Sequence, residues 1–134
     1  MTPDPKELAE ASSISSLSED IDPQGGGAVT FINIFEVPVE QIDTFIAHWR
    51  GLAKIMSTAP GFYDARLHRA LSSQTRFQII NVANWESPQA WEAAVANPEL
   101  QDGLRALAKD TEVQISANPA LYEVVVAYGD HEQA

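Results

Sequence analysis

The sequence predicts an α+β fold in which helices cover one face of a four-stranded antiparallel sheet. Segments that alternate apolar and polar residues, as strands do, are interspersed with segments that have the i, i+3, i+4, i+7 spacing of amphipathic helices. Their order along the chain is β-α-β-β-α-β, and Pro-Gly, Ser-Pro and short polar turns separate them. This order is that of the ferredoxin-like arrangement, a split β-α-β unit.

The first half of the pattern contains three strands and one helix. The first strand is expected at about Val29–Val37 and leads into a helix over about Val39–Thr58. Pro38 suits the start of that helix, because the first N–H groups of a helix have no partner within it. A Pro-Gly pair ends the helix. Two strands joined by a short polar turn follow at about Phe62–Leu71 and Arg76–Glu86, which indicates an antiparallel hairpin.

The second half contains two helical segments and the last strand. Ser87 is a suitable N-cap and Pro88 a suitable first residue for a helix that we expect to end near Ala96. An Asn-Pro pair interrupts the helical pattern, which resumes over about Glu99–Asp110. The β-branched and aromatic run Leu121–Tyr128 predicts the fourth strand.

One folded domain is expected over residues 28–128, between termini that do not pack. Residues 1–27 are rich in Pro, Ser, Gly and acidic side chains and contain almost no large apolar ones. Such a segment buries too little surface to offset the entropy that it loses on ordering, so we expect a disordered acidic tail. Residues 129–134 are expected to fray.

The composition argues against several classes of partner. The 134-residue chain has a formal net charge of −11, whereas contacts with nucleic-acid phosphates or anionic membranes require Lys and Arg. No apolar run approaches the length of a membrane span, and the N-terminus lacks the basic-then-apolar pattern of a signal peptide. We therefore expect a cytoplasmic protein that binds neither nucleic acid nor membrane.

Large apolar residues occupy both faces of the predicted sheet. In the first strand Phe31 and Phe35 lie on one face, while Ile32 and Ile34 lie on the other. The third and fourth strands show the same two-sided pattern. Because one layer of helices covers only one side, the remaining face predicts a partner sheet from a second copy of the chain, related by two-fold symmetry.

A single carboxamide interrupts an otherwise apolar face of the third strand. The two-residue period places Ile79, Asn81, Ala83 and Trp85 on one side of the sheet. A buried Asn without hydrogen-bond partners costs about 1–3 kcal/mol. Asn81 is therefore either a satisfied structural link or a group that awaits a ligand, and the indole N–H of Trp85 has the same two alternatives.

A second carboxamide, Asn33, interrupts the apolar face of the first strand. The first and third strands are central neighbours in a split β-α-β sheet, so the two Asn side chains are expected to lie in one pocket. Phe45, Trp49 and Trp91 on the helices are expected to form its walls. Apolar walls with a few polar groups are typical of a site for a flat aromatic molecule. The alternative is a packed core with tethered amides.

Several other kinds of site find no support in the sequence. The three His residues show no metal-ligand spacing with one another or with carboxylates, and the chain contains no Cys. Nucleophile motifs and dinucleotide fingerprints are also missing, because the only glycine cluster precedes a strand. We therefore expect neither a metal nor a cofactor.

Three stretches carry a resemblance to a known family: they read VTFINIFEVP, PGFYDARLHRAL and, above all, NVANWESPQAW. Together they resemble the antibiotic biosynthesis monooxygenase family over about residues 28–128. The resemblance implies a dimeric α+β barrel. It also implies one of three activities: cofactor-independent oxidation of anthrones to anthraquinones with O₂, quinol oxidation, or haem degradation.

The resemblance also implies roles for individual residues. Asn81 and Trp85 match an Asn and a Trp that the anthrone oxygenases carry four residues apart, and Asn33 matches a further Asn of the first strand. Arg105 matches an Arg about twenty residues after the Trp. Trp91 stands where those oxygenases have Tyr, so a hydroxyl that could relay protons is missing.

The resulting hypothesis is a cofactor-independent monooxygenase that oxidises a phenolic, anthrone-like or quinol-like aromatic with O₂. Asn33, Asn81 and Trp85 are its expected catalytic residues. The expected substrate-binding residues are Phe45, Trp49, Trp91 and Arg105.

Two other functions stay open. One is a non-catalytic dimer that binds a hydrophobic metabolite. The other is a haem-binding or haem-degrading protein with altered ligation, because no His occurs from Glu86 to Asp110 to ligate iron as in the haem-degrading members. His48 and His68 are possible bases.

Overall fold

The computed structural model describes residues 27–110 and 115–129, and it confirms the predicted α+β fold and the order of its elements. The domain limits predicted at residues 1–27 and 129–134 fall almost entirely outside the described residues. None of the described helices is both long and apolar enough to cross a membrane. The elements are β1 (Val29–Glu36), α1 (Ile42–Met56), β2 (Phe62–Arg69), β3 (Ile79–Trp85), α2 (Pro88–Val95), α3 (Pro98–Asp110) and β4 (Ser116–Tyr122).

The four strands form one sheet in the order β2-β3-β1-β4, and every neighbouring pair is antiparallel. β1 and β3 are therefore the central strands, as the split β-α-β order predicts. β2 and β4 form the two edges. The three helices pack on one face of this sheet, where their apolar side chains meet those of the strands.

The helices begin near the predicted residues, with one difference in the first. After Pro38 the chain makes a 3-10 turn over Val39–Gln41 before α1 starts at Ile42. α2 begins as expected: the Ser87 hydroxyl accepts a hydrogen bond from the N–H of Ala90, and Pro88 is the first helical residue.

β4 lies earlier in the chain than its residue types suggest, so the predicted strand over Leu121–Tyr128 is wrong. The register sets Tyr122 opposite Thr30, near the start of β1. Residues after Tyr122 therefore extend beyond β1 and have no residue of that strand to pair with. Residues 123–128 are exposed and form no strand. Pro119 lies within β4, which is tolerated because an edge strand needs N–H groups on one side only.

The β2–β3 hairpin has a longer connection than predicted, because β2 ends at Arg69 and β3 starts at Ile79. The buried side chain of Gln78 stabilises this connection. Its Nε2 donates to the carbonyl oxygens of Ser72 at 2.9 Å and Thr75 at 2.6 Å. These bonds keep the residues just before Ile79 in a loop, although the alternating pattern assigns them to the third strand.

The core between sheet and helices consists of two apolar clusters. The first surrounds the two buried indoles, and the second contains Phe45 and Ile79. Leu52 of α1 packs against both clusters. The buried members of the first are Phe31, Ala83, Trp85, Trp91, Ala94, Val95 and Leu100; those of the second are Val37, Ile42, Phe45, Ile79 and Leu107.

None of the described helices lies on the opposite face of the sheet. At its centre, residues of β1 and β3 form a half-buried apolar patch: Ile32, Ile34, Ile80 and Val82. A polar row borders this patch. Thr30 Oγ1 donates to Asn84 Oδ1 at 2.8 Å, and Asn84 Nδ2 donates to Asp64 Oδ1 at 2.8 Å. We call this side of the sheet the outer face.

We expect Gly61→Ala to destabilise the fold. Gly61 has φ +86°, and a Cβ there would lie 2.5 Å from Ala90 Cβ. Left-handed backbone strain and overpacking together cost about 2–5 kcal/mol. Urea unfolding followed by circular dichroism measures the change. Gly51→Ala is the control, because its Cβ meets nothing within 4 Å and α1 gains helix propensity. Equal stability of the two variants would contradict the packing described here.

Candidate functional site

The two carboxamides, Asn33 and Asn81, lie directly opposite each other on the central strands. They are register partners in the β1–β3 pairing and point to the helix-covered face. Side chains so placed have Cβ atoms about 4.5–5.5 Å apart. Phe31 and Ala83 on one side of the pair belong to the first apolar cluster, and Phe35 on the other side packs against the second. The pair is therefore a polar layer between two apolar clusters.

The Asn33 side chain is buried and held by the neighbouring edge strand. Its Oδ1 accepts a hydrogen bond from the backbone N–H of Asn118 at 3.0 Å. Asn118 also donates from its own Nδ2 to the carbonyl oxygen of Ile34 at 2.8 Å. The oxygen end of the Asn33 amide is thus in use, and its NH₂ end is the one that can donate to a ligand.

The Asn81 side chain differs from Asn33 in that its buried Oδ1 has no hydrogen-bond partner among the described residues. The indole Nε1 atoms of Trp85 and Trp91 are the other buried side-chain polar atoms without a partner within residues 27–110 and 115–129. An unpaired buried polar group costs about 1–3 kcal/mol. This part of the core therefore contains one acceptor and two donors that the described residues do not satisfy.

Aromatic packing fixes the two indoles. Trp85 is 1% exposed and meets Phe62 edge-on, with ring centroids 5.2 Å apart. Trp91 of α2 is fully buried and stacks on Phe31 at 5.5 Å. Both belong to the first cluster, and Trp85 shares the face of β3 that carries Asn81.

Phe45 and Trp49 lie on the other side of the polar layer. Phe45 is buried and meets Phe35 edge-on at 4.7 Å. Trp49 is half-buried and packs against the same second cluster. Leu67 of this cluster is the β2 register partner of Asn81. The two side chains thus border the layer from α1.

Arg105 and His68 are not brought to the polar layer. Arg105 is exposed on α3 and pairs with Asp102 at 2.6 Å. His68 lies opposite Ile80 in the β2–β3 register, so it points to the outer face, and its Nδ1 is 3.4 Å from the Ile80 carbonyl oxygen. His48 is half-buried on α1.

The described residues contain no group of three or more His, Cys, Asp or Glu side chains that could hold a metal ion. Ionisable groups with a shifted pKa also lie away from the polar layer. Among residues 27–110 and 115–129, the one resolved shift is at Arg76, where the hydrogen bond and the charge of Glu36 raise the pKa of the guanidinium. Asn33, Asn81, Trp85 and Trp91 do not ionise as acids or bases near neutral pH.

A cleft of about 500 Å³ opens where α1 ends and α2 begins. It does not reach Asn33 or Asn81, but several of its lining residues, including Ile55, Ala90 and Ala94, pack in the first cluster with the two indoles. Neither this cleft nor the role of Asn118 was predicted. Both depend on which elements meet in space, and no local sequence signal reveals that.

Comparison with known proteins gives a consistent result. A family model described as antibiotic biosynthesis monooxygenase matches residues 28–106. A candidate monooxygenase from Shewanella loihica PV-4 is 30% identical, covers 76% of this chain and 98% of its own, and has a TM-score of 0.62. No match was found among curated proteins.

Two further solved structures share the fold at lower identity. SnoaB, a cofactor-independent oxygenase from Streptomyces nogalater, is 22% identical over 78% of this chain and 99% of its own, with a TM-score of 0.63. A haem-degrading protein from Mycobacterium tuberculosis is 23% identical over the same shares, with a TM-score of 0.57.

We expect the two Asn residues to respond oppositely to an apolar replacement of similar size. Asn81→Leu removes an unpaired buried acceptor and should raise the free energy of unfolding by about 1 kcal/mol. Asn33→Leu leaves the Asn118 N–H unpaired and should lower it by about 1–3 kcal/mol. Urea denaturation of both variants measures the difference. If Asn81→Leu destabilises as much as Asn33→Leu, Asn81 is a structural link.

Proposed function

Because the chain belongs to the antibiotic biosynthesis monooxygenase family, we propose that it is a cofactor-independent monooxygenase acting on a phenolic, anthrone-like or quinol-like aromatic compound. One observation carries the proposal. Asn33 and Asn81 lie opposite each other on the central strands. The NH₂ end of Asn33 can donate a hydrogen bond, and the Oδ1 of Asn81 is an acceptor without a partner among the described residues.

The two amides are suited to a substrate oxygen that can both give and accept a hydrogen bond. A phenolic or enolic hydroxyl donates to Asn81 Oδ1 and accepts from Asn33 Nδ2. When the substrate loses its proton, the Asn33 donor stabilises the oxygen anion. In a dry site, one such donor contributes about 2.7–4 kcal/mol to transition-state stabilisation. A hydrocarbon without this oxygen satisfies neither amide.

The proposed reaction uses O₂ both as oxidant and as oxygen source. An anthrone CH₂ loses a proton to give a delocalised carbanion, which passes one electron to O₂ and forms a radical pair. Recombination makes a C–O bond, and the resulting peroxide takes up a proton. Loss of water, with cleavage of the O–O and the remaining C–H bond, leaves C=O. One O₂ and one CH₂ thus yield one carbonyl and one water.

The aromatic side chains supply the remaining contacts in this proposal. The Nε1 donors of Trp85 and Trp91, which have no partner among the described residues, are available for further substrate oxygens, such as the second carbonyl or hydroxyl of a polycycle. Phe45 and Trp49 bound the layer from the second cluster. The proposed site does not include Arg105, because its guanidinium is exposed and paired with Asp102.

The cleft at the end of α1 supplies the proposed route of entry. Ile55 and Met56 of α1 and Ala90 and Ala94 of α2 both line the cleft and pack against the indole cluster. A planar substrate that separates these helix ends reaches the indoles first and the carboxamides beyond them.

A homodimer and a cytoplasmic location complete the proposal. The outer face has an apolar centre that no described helix covers, and the run Val124–Val126, which follows β4 in the chain, is exposed as well. A second copy placed by two-fold symmetry covers both. The chain's net charge of −11 keeps such a dimer from associating further.

We expect the protein to accelerate O₂ uptake with dithranol or a reduced quinone. Asn81→Ala should lower kcat by about 10–100-fold, because the substrate hydroxyl loses the acceptor that orients it. An oxygen electrode measures the rate against buffer alone. Asn84→Ala is the matched control, because Asn84 lies on the same strand but bonds to Thr30 and Asp64 on the outer face.

Two results would contradict this function. A wild-type rate no higher than that of Asn81→Ala excludes the catalytic role of the amides. If dithranol binds but is not oxidised, the protein is a non-catalytic binder. Titration with haem tests the remaining alternative, since a stoichiometric Soret band with product release under O₂ indicates haem degradation.

We expect the chain to be a dimer at micromolar concentration by size-exclusion chromatography with light scattering. Val82→Lys places a charge at the centre of the outer face and should yield monomers, because burying an unpaired charge is prohibitively costly. Val39→Lys is the control: Val39 is also an apolar residue but is already exposed, in the turn before α1. A monomeric wild type would contradict the covered face.

A further inference from the structure

We propose that Asn118 is a positioning residue for the oxygenase site, in that it fixes which end of the Asn33 amide faces the substrate. The inference rests on the proposed function and adds a residue from an edge strand outside the polar layer. Two hydrogen bonds from Asn118 to β1 support it: one to the Asn33 side chain and one to the backbone carbonyl of Ile34.

The orientation of Asn33 decides its chemistry. The two ends of a carboxamide have nearly the same shape, so a half-turn about the last side-chain bond replaces a donor by an acceptor. A donor stabilises a developing oxygen anion, whereas a carbonyl oxygen in the same place repels it. The backbone N–H of Asn118 donates to Asn33 Oδ1 at 3.0 Å, and this bond selects the donating orientation.

The side chain of Asn118 keeps that N–H available. Ile34 is the register partner of Asn118, so its carbonyl oxygen is the natural acceptor for the backbone N–H of residue 118 in the strand ladder. The Asn118 Nδ2 donates to this carbonyl at 2.8 Å and takes one of its two acceptor positions. If the side-chain amide is removed, the Ile34 carbonyl competes with Asn33 Oδ1 for the N–H.

The next residue cannot substitute for this donor. Pro119 is the register partner of Asn33 and has no N–H. The Asn33 oxygen therefore depends on residue 118 for its backbone donor from β4. A site residue of β1 is thus oriented by a residue 85 positions away in the chain.

The test compares Asn118→Ala and Asn118→Asp with wild type in the full chain. Asp keeps the size of the side chain but lacks the NH₂ donor. Ser116→Ala is the control, because Ser116 lies two residues earlier on the same face of the same strand. Two readouts are used: steady-state O₂ uptake with dithranol, and the side-chain ¹⁵N–¹H₂ signals of Asn33, identified by their loss in Asn33→Ala.

We expect both Asn118 variants to lower kcat at least about tenfold while KM changes less than about twofold, since the donor is lost in the transition state. The Asn33 NH₂ signals should become mobile, with a reduced ¹⁵N–¹H NOE. In an Asn33→Ala background, Asn118→Ala should lower kcat no further. Ser116→Ala should match wild type in both readouts.

Each other outcome overturns a defined part of the inference. Unchanged Asn33 signals in both variants show that Asn118 does not orient the amide, whatever the activity. Altered signals with an unchanged kcat show that the orientation has no catalytic effect. A further loss of kcat in the Asn33→Ala background shows that Asn118 acts through the fold. If the Asn118 variants alter the Asn33 signals but the wild type consumes no O₂, the proposed function is wrong, whereas the effect of Asn118 on the Asn33 amide is still established.

Discussion

The register between β1 and β3 is the constraint on which the site depends. It sets Asn33 opposite Asn81 on the two central strands and aligns apolar residues on both sides of them. Because side chains alternate between faces, a slip of β3 by one residue would turn Asn81 and the large apolar residues of that strand to the outer face. The energy that buries Phe31, Ile79 and Trp85 therefore also keeps both amides on the helix-covered face.

The two carboxamides of the polar layer differ in their hydrogen bonding. Asn33 is tied into the sheet by the N–H of Asn118, so it supports the fold as well as the proposed chemistry. Asn81, with Trp85 and Trp91, keeps a polar atom that nothing in the described protein satisfies. Most buried polar groups in natural structures form hydrogen bonds. Three buried polar atoms in one core without a partner in the described part of the chain therefore lower the stability of the fold at this place.

Local patterns predicted most of the fold and the face on which the carboxamides lie. Alternation and helical spacing depend only on neighbours in the sequence, and they identified Asn33, Asn81 and Trp85 as inward-facing. They failed for β4, where residue type favoured the Val-rich run but the length of β1 decided which residues could pair. The role of Asn118 and the surface position of Arg105 depend on contacts across the fold, which no local pattern contains.

The two carboxamides of the polar layer and the two indoles of the first cluster are too weakly basic to remove a proton from carbon or from a phenol. A substrate must therefore already be acidic enough to ionise at the ambient pH or when it binds to the polar layer. Simple phenols, with a pKa of about 10 as in tyrosine, meet this condition poorly. Extended polycyclic enols, whose negative charge spreads over several rings, meet it well. The proposed site would thus select among flat molecules by their acidity as much as by their shape.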